Sequence, residues 1–160
     1  ARHCNRICPE SIVAVSPDAG GVARAEEFRV RTGSSIAIIS KRHPGPDVTE
    51  TLEMVGDVAG KTAIVVDDMI STAGTLTAAA ALLRDRGADR INAAATHGIF
   101  AANALESIDR SPIDRVFVTD TIPLPETGPR EKIEVITVAP LLAEAIMRIH
   151  KDLSISALFT

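Results

Sequence analysis

Short apolar runs alternate along the chain with segments of helical periodicity. The runs 11–16 (SIVAVS), 35–40 (SIAIIS), 62–68 (TAIVVDD), 90–97 (RINAAATH), 115–120 (RVFVTD) and 132–138 (KIEVITV) read as strands. Between them, 21–33 puts Val22, Ala25, Phe28 and Arg29 near one helical face and stops at Gly33. The segment 75–86 gathers Leu76, Ala79, Ala80 and Leu83 on one side, with Gly87 beyond it, and 101–110 is also helical. The clearest helix is 140–150, where Pro140 suits the first helical position and Leu141, Leu142, Ala145, Ile146 and Ile149 form an apolar stripe. Strands apolar on both faces, alternating with helices, predict a three-layer α/β fold: a mostly parallel sheet with helices on both faces. The length of 160 residues suits a single domain over 1–160. Two stretches interrupt the alternation. Residues 41–60 are long, polar and broken by Pro44, Gly45 and Pro46, which predicts a flexible hairpin or lid. Residues 121–132 read as a surface excursion.

Composition narrows the classes of function. A net charge of −4, with no run of Lys or Arg longer than two, argues against a nucleic-acid partner or an anionic membrane surface. No apolar stretch approaches the ~20 residues of a membrane span, and no apolar signal region opens the chain, so a cytoplasmic location is expected. Because it starts at Ala1 rather than Met, processing or excision from a longer chain is also expected. Cys4 and Cys8 lie beside His3 without a second pair at zinc spacing, and read as reduced thiols.

In a parallel α/β sheet, ligands bind beyond the carboxyl ends of the strands. Three predicted loops stand at that edge: SPDAGG (16–21), KRHPGP (41–46) and DDMISTAGT (67–75). In the last, Asp67 and Asp68 precede a turn of Ser71, Thr72, Ala73, Gly74 and Thr75 that opens a helix. Helix-initiating amides suit a phosphate, and carboxylates accept hydrogen bonds from sugar hydroxyls. A phosphorylated sugar fits both. The competing reading is that Ser71 or Thr72 caps the helix and the acids are solvated. Neither the Walker pattern nor G-x-G-x-x-G occurs. The turn Asp18, Ala19, Gly20, Gly21 can wrap an anion, with Asp18 toward a metal, and Lys41 and Arg42 can neutralise charge on a transferring group. Arg24 and Arg29 read as helix-surface residues. His97, at a predicted strand end, reads equally well as structural or as facing the site.

DDMISTAGTL resembles the phosphoribosyl-diphosphate signature of type I phosphoribosyltransferase folds. With VAVSPDAGGVARA, AIISKRHP, ATHGIF, VTDTIPLP, VAPLLAEAI and SISALF in this order, Ile12 to Phe159 resembles the C-terminal half of the ribose-phosphate pyrophosphokinases. The resemblance implies a kinase of nucleotide biosynthesis. With Mg²⁺ it transfers the diphosphoryl group of ATP to the C1 hydroxyl of ribose 5-phosphate, giving phosphoribosyl diphosphate and AMP. It implies that Ser71, Thr72, Ala73, Gly74 and Thr75 hold the sugar phosphate and that Asp67 and Asp68 engage the ribose hydroxyls. Asp18 to Gly21 would form the pyrophosphate loop, with Asp18 near the metal. Lys41 would stabilise the transferring group, with Arg42 beside it. Ser154, Ser156 and Phe159 would belong to an allosteric site between subunits. Self-association from dimer to hexamer is implied, as is an N-terminal half supplying most of the ATP site. That half has no counterpart here, and the absence of Trp and Tyr agrees, since adenine usually sits in an aromatic or apolar slot. Two departures concern the site: Ser71 where many members carry Asp, and His43 where Arg is common. The other readings are a nucleobase phosphoribosyltransferase, for which no base-binding hood is apparent, and a non-catalytic regulatory subunit of the synthetase.

Overall fold

Seven strands form one sheet in the order β3-β2-β1-β4-β5-β6-β7, parallel throughout except for the β2–β3 pair. They are β1 (Ile12–Ser16), β2 (Ser35–Arg42), β3 (Thr51–Val55), β4 (Thr62–Ile70), β5 (Arg90–Gly98), β6 (Arg115–Thr119) and β7 (Ile133–Ile136). The helices are α1 (Val22–Thr32), α2 (Gly74–Asp85), α3 (Ala104–Arg110) and α4 (Ala139–His150), followed by a 3-10 turn at Ser156–Leu158. This computed structural model describes residues 1, 4, 11–42 and 51–158, with Lys41, Arg42 and Thr51 described by backbone alone.

Strand alternation builds two cores. Val13, Val15, Ala63, Val65, Ile91, Ala93, Val116 and Val118 pack with Leu76, Ala80, Leu83, Leu105 and Ile108 of α2 and α3. On the opposite face, Ile12, Ala14, Ile64, Val66 and Phe117 meet Phe28 of α1 and Cys4, which is buried. Beside α1 lies a trough of about 480 Å³ bordered by Phe28, Phe117, Val118 and Ile136.

The expected three-layer arrangement is present, with differences in detail. The hairpin alternative for 41–60 agrees with an antiparallel pairing of β3 with β2, Lys41 opposite Leu52 and Arg42 opposite Thr51. Residues 43–50, His43 included, lie outside the described residues, as does Cys8. The third helix starts at Ala104 rather than residue 101, because Phe100 and Ala102 adopt positive φ angles of 47° and 54°. Gly33 ends α1 as expected, at φ 68°. The apolar stripe of α4 is turned to solvent: Leu142, Ile146 and Ile149 are 57%, 67% and 60% exposed. The helix buries none of its residues. No helix among the described residues is long and apolar enough to cross a membrane.

Candidate functional site

The sheet changes direction between β1 and β4. The chain leaves β1 toward β2 on one side and leaves β4 toward β5 on the other, so the loops after β1 and β4 part at this point. A cavity of about 160 Å³ opens there, lined by Pro17 from the first loop and by Asp67, Ser71, Thr72, Gly74 and Thr75 from the second. β2 lies next to β1 and runs parallel to it, so its Lys41 and Arg42 end sits at the same edge.

The 71–75 turn leaves the start of α2 open. Ala73 precedes the helix at φ 63°, in the left-handed region, and no side chain caps the helix start. The capping reading of Ser71 and Thr72 is therefore set aside; both are exposed at the cavity. Because Thr77 N–H already donates to the Ala73 carbonyl at 2.9 Å, the amides before it remain the helix's unpaired donors. These donors and the positive end of the helix dipole suit an anion.

Asp67 and Asp68 do not leave the strand as expected, because β4 runs on to Ile70 with Asp67 opposite Ala95. Nor is Arg24 a plain surface residue. Its Nη1 meets Asp67 Oδ1 at 2.9 Å and its Nη2 meets Asp68 Oδ2 at 3.0 Å. The Asp68 N–H donates to Asp67 Oδ1 at 2.8 Å. Burial pushes the Asp67 carboxyl above its ordinary value. The hydrogen bond from Asp67 holds the Asp68 carboxyl below its own. One guanidinium thus orients both carboxylates and offsets part of their charge beside a cavity that Asp67 itself lines. The signal for Arg24 lay in its position, in the first turn of the helix that follows the 16–21 loop. Arg29, by contrast, does pair on the helix surface, with Glu26 at 2.6 Å.

Replacing Arg24 with Ala leaves two adjacent carboxylates without their shared cation. The folded-state affinity of both for protons rises, so the loss of stability is absent at low pH and grows as pH climbs through the carboxylate range. With all three side chains at least a third exposed, about 1 kcal/mol is expected at pH 7. Urea denaturation of Arg24→Ala and the parent chain at pH 3 and pH 7 checks both sign and size.

The 16–21 loop holds itself. Ser16 Oγ donates to the Asp18 carbonyl at 2.6 Å, and Gly21 N–H donates to Asp18 Oδ1 at 2.8 Å. Ala19 and Gly20 are exposed between them. Asp18 keeps its second carboxylate oxygen, and no group of three or more acidic, His or Cys side chains converges among the described residues. Such a donor set fits Mg²⁺ held by one carboxylate, water and substrate phosphate, not a cage made by the protein alone. His97 Nδ1 shares a hydrogen bond with Thr121 Oγ1 at 2.8 Å. Ser154 and Ser156 are exposed after α4, the Ser154 carbonyl accepting from Arg148 at 3.1 Å, and Phe159 lies outside the described residues.

A mostly parallel sheet with helices on both faces and a cavity at its switch point defines the fold class: the type I phosphoribosyltransferase-like α/β proteins. An adenine phosphoribosyltransferase structure shares this fold at TM-score 0.55 and 20% identity, each chain being covered to 73%. Residues 37–160 match the phosphoribosyl synthetase-associated domain, and the chain belongs to that family. It is 52% identical to a ribose-phosphate pyrophosphokinase of Caldanaerobacter subterraneus, over 94% of this chain and 48% of the relative. It is 50% identical to one of Aquifex aeolicus over the same shares. The phosphoribosylpyrophosphate synthetase of Mycobacterium smegmatis superposes at TM-score 0.84 with 36% identity, over 94% of this chain and 49% of that one. The chain thus spans about half the length of the relatives it matches.

Proposed function

We propose that the chain is the ribose 5-phosphate-binding, C-terminal half of a cytoplasmic ribose-phosphate diphosphokinase. The observation that carries this reading is the uncapped start of α2 lining one cavity with the Arg24-held carboxylate of Asp67. The amides and hydroxyls of Ser71, Thr72, Ala73, Gly74 and Thr75 take the 5-phosphate. Asp67 and Asp68 accept hydrogen bonds from the ribose hydroxyls. The C1 oxygen then faces the 18–21 turn, where Ala19, Gly20 and Gly21 receive the diphosphoryl group. In the reaction, the C1 hydroxyl oxygen forms a bond to the β-phosphorus of ATP and gives up its proton to solvent, as the bond from that phosphorus to the oxygen shared with the α-phosphate breaks, releasing AMP. Lys41, with Arg42 beside it, neutralises charge growing on the transferring group. Mg²⁺, held at Asp18, would supply further neutralisation of the diphosphate. ATP binding and turnover are assigned jointly to this chain and the remaining half of the enzyme.

The exposed apolar face of α4 and the trough beside α1 support a chain that functions only when covered, by the other half and by further copies in a dimer or hexamer. The test has two arms. Calorimetric titration is expected to detect ribose 5-phosphate binding to the chain alone. AMP release from ATP, ribose 5-phosphate and Mg²⁺ is expected only after an N-terminal half from a relative is supplied. Absence of ribose 5-phosphate binding overturns the reading, as does base-dependent consumption of phosphoribosyl diphosphate.

A further inference from the structure

The residues after β5 reach back to the entrance of the anion cradle. Gly98, the last residue of β5, pairs with Ile70 at the end of β4. From there the Ile99 and Phe100 N–H groups both donate to the Ile70 carbonyl, at 3.0 and 3.1 Å, and the Ala101 N–H donates to the Ser71 carbonyl at 3.0 Å. The entry to the 71–75 turn is therefore tied to the exit of a neighbouring strand. Phe100 makes this turn possible at φ 47°, a conformation a phenylalanine holds only under constraint, and it is 4% exposed. Its ring sits where a side chain on Gly98 would go. A Cβ at Gly98 would stand 2.5 Å from Phe100 Cε2, 3.1 Å from its Cζ and 3.1 Å from Val118 Cγ1.

We propose that Gly98 and Phe100 are positioning residues for the sugar-phosphate cradle. The ring seated on Gly98 fixes the Ile99–Ala101 amides beneath Ile70 and Ser71, and so sets where the 71–75 amides stand before ligand arrives. This rests on the ribose 5-phosphate reading of the cradle. Each backbone residue that must instead be ordered on binding weakens a site by roughly tenfold.

The test is Gly98→Ala in the whole 160-residue chain, followed by ribose 5-phosphate titration and by the amide resonances of residues 71–75 without ligand. Binding is expected to weaken about tenfold, with displaced 71–75 resonances. Adding Phe100→Leu makes room for the new methyl group and returns binding to within about threefold of the parent. Should Gly98→Ala not fold, Phe100→Leu alone carries the test, with the same resonances displaced. Leu83→Ala, in the same core but far along α2, is the control: it lowers the melting temperature and leaves ribose 5-phosphate affinity unchanged. Unmoved resonances with parent-like affinity in Gly98→Ala overturn the proposal, as does an equal loss of affinity in the control. If the parent chain binds no ribose 5-phosphate, the functional reading falls, and the resonances alone decide the positioning claim.

Discussion

A Gly74→Asp variant should keep or raise its melting temperature while losing ribose 5-phosphate affinity by at least about a hundredfold. Gly74 is the first residue of α2, and the nearest atom to a Cβ built there, beyond its immediate neighbours, is Thr72 Oγ1 at 3.9 Å. The substitution is therefore sterically open. A carboxylate at a helix start gains about 0.3–1 kcal/mol from the dipole, and replacing glycine narrows the unfolded ensemble. The same carboxylate occupies the donors a phosphate needs and repels it. Two like charges ~4 Å apart at an effective dielectric of about 20 differ by roughly 4 kcal/mol, and a hundredfold loss needs only about 2.7 kcal/mol. Thermal melting and calorimetric titration together measure this split. Undiminished binding would mean that the anion is held elsewhere.

The second large effect falls on the hairpin. Gly56→Ala is expected to destabilise the chain by about 3 kcal/mol, combining overpacking with a positive φ that a side chain disfavours. Gly56 follows β3 at φ 115°, and a Cβ there would lie 2.8 Å from the Ala37 Cα, the Ala37 Cβ and the Ile36 carbonyl oxygen. These are backbone and near-backbone atoms of β2, which pairs with β1 on its other side and cannot withdraw cheaply. Urea denaturation gives the magnitude. Because β2 also carries Lys41 and Arg42 while the cradle stands on β4, the variant should bind ribose 5-phosphate normally when folded. On the role proposed for Lys41 and Arg42, AMP release by the variant joined to an N-terminal half should be slower than by the parent chain so joined.

The layers, the parallel pairing and the 71–75 turn that opens α2 were legible because they rest on local signals: β-branched runs, helical spacing, and small and hydroxyl residues with a glycine after an apolar run. β3 was legible only as part of the expected 41–60 hairpin or lid, since Thr51–Val55 is short and takes its strand conformation from pairing with β2. Arg24 was missed for a related reason. Helical position assigns a side chain to a face but gives no account of a partner 43 residues away, on a neighbouring strand. The delayed start of α3 arises from Phe100 and Ala102, whose positive φ angles come from tertiary packing that residue type does not announce.

Leu141, Leu142, Ile146, Met147, Ile149, Leu153 and Ile155 all face water along and just after α4. Under the self-association proposed above, dilution becomes a physical variable for this polypeptide. Its melting temperature, solubility and scattering mass should all drift with micromolar dose, and a detergent or a crowded lysate will compete for that greasy strip. Any titration should begin from a measured mass at the working concentration.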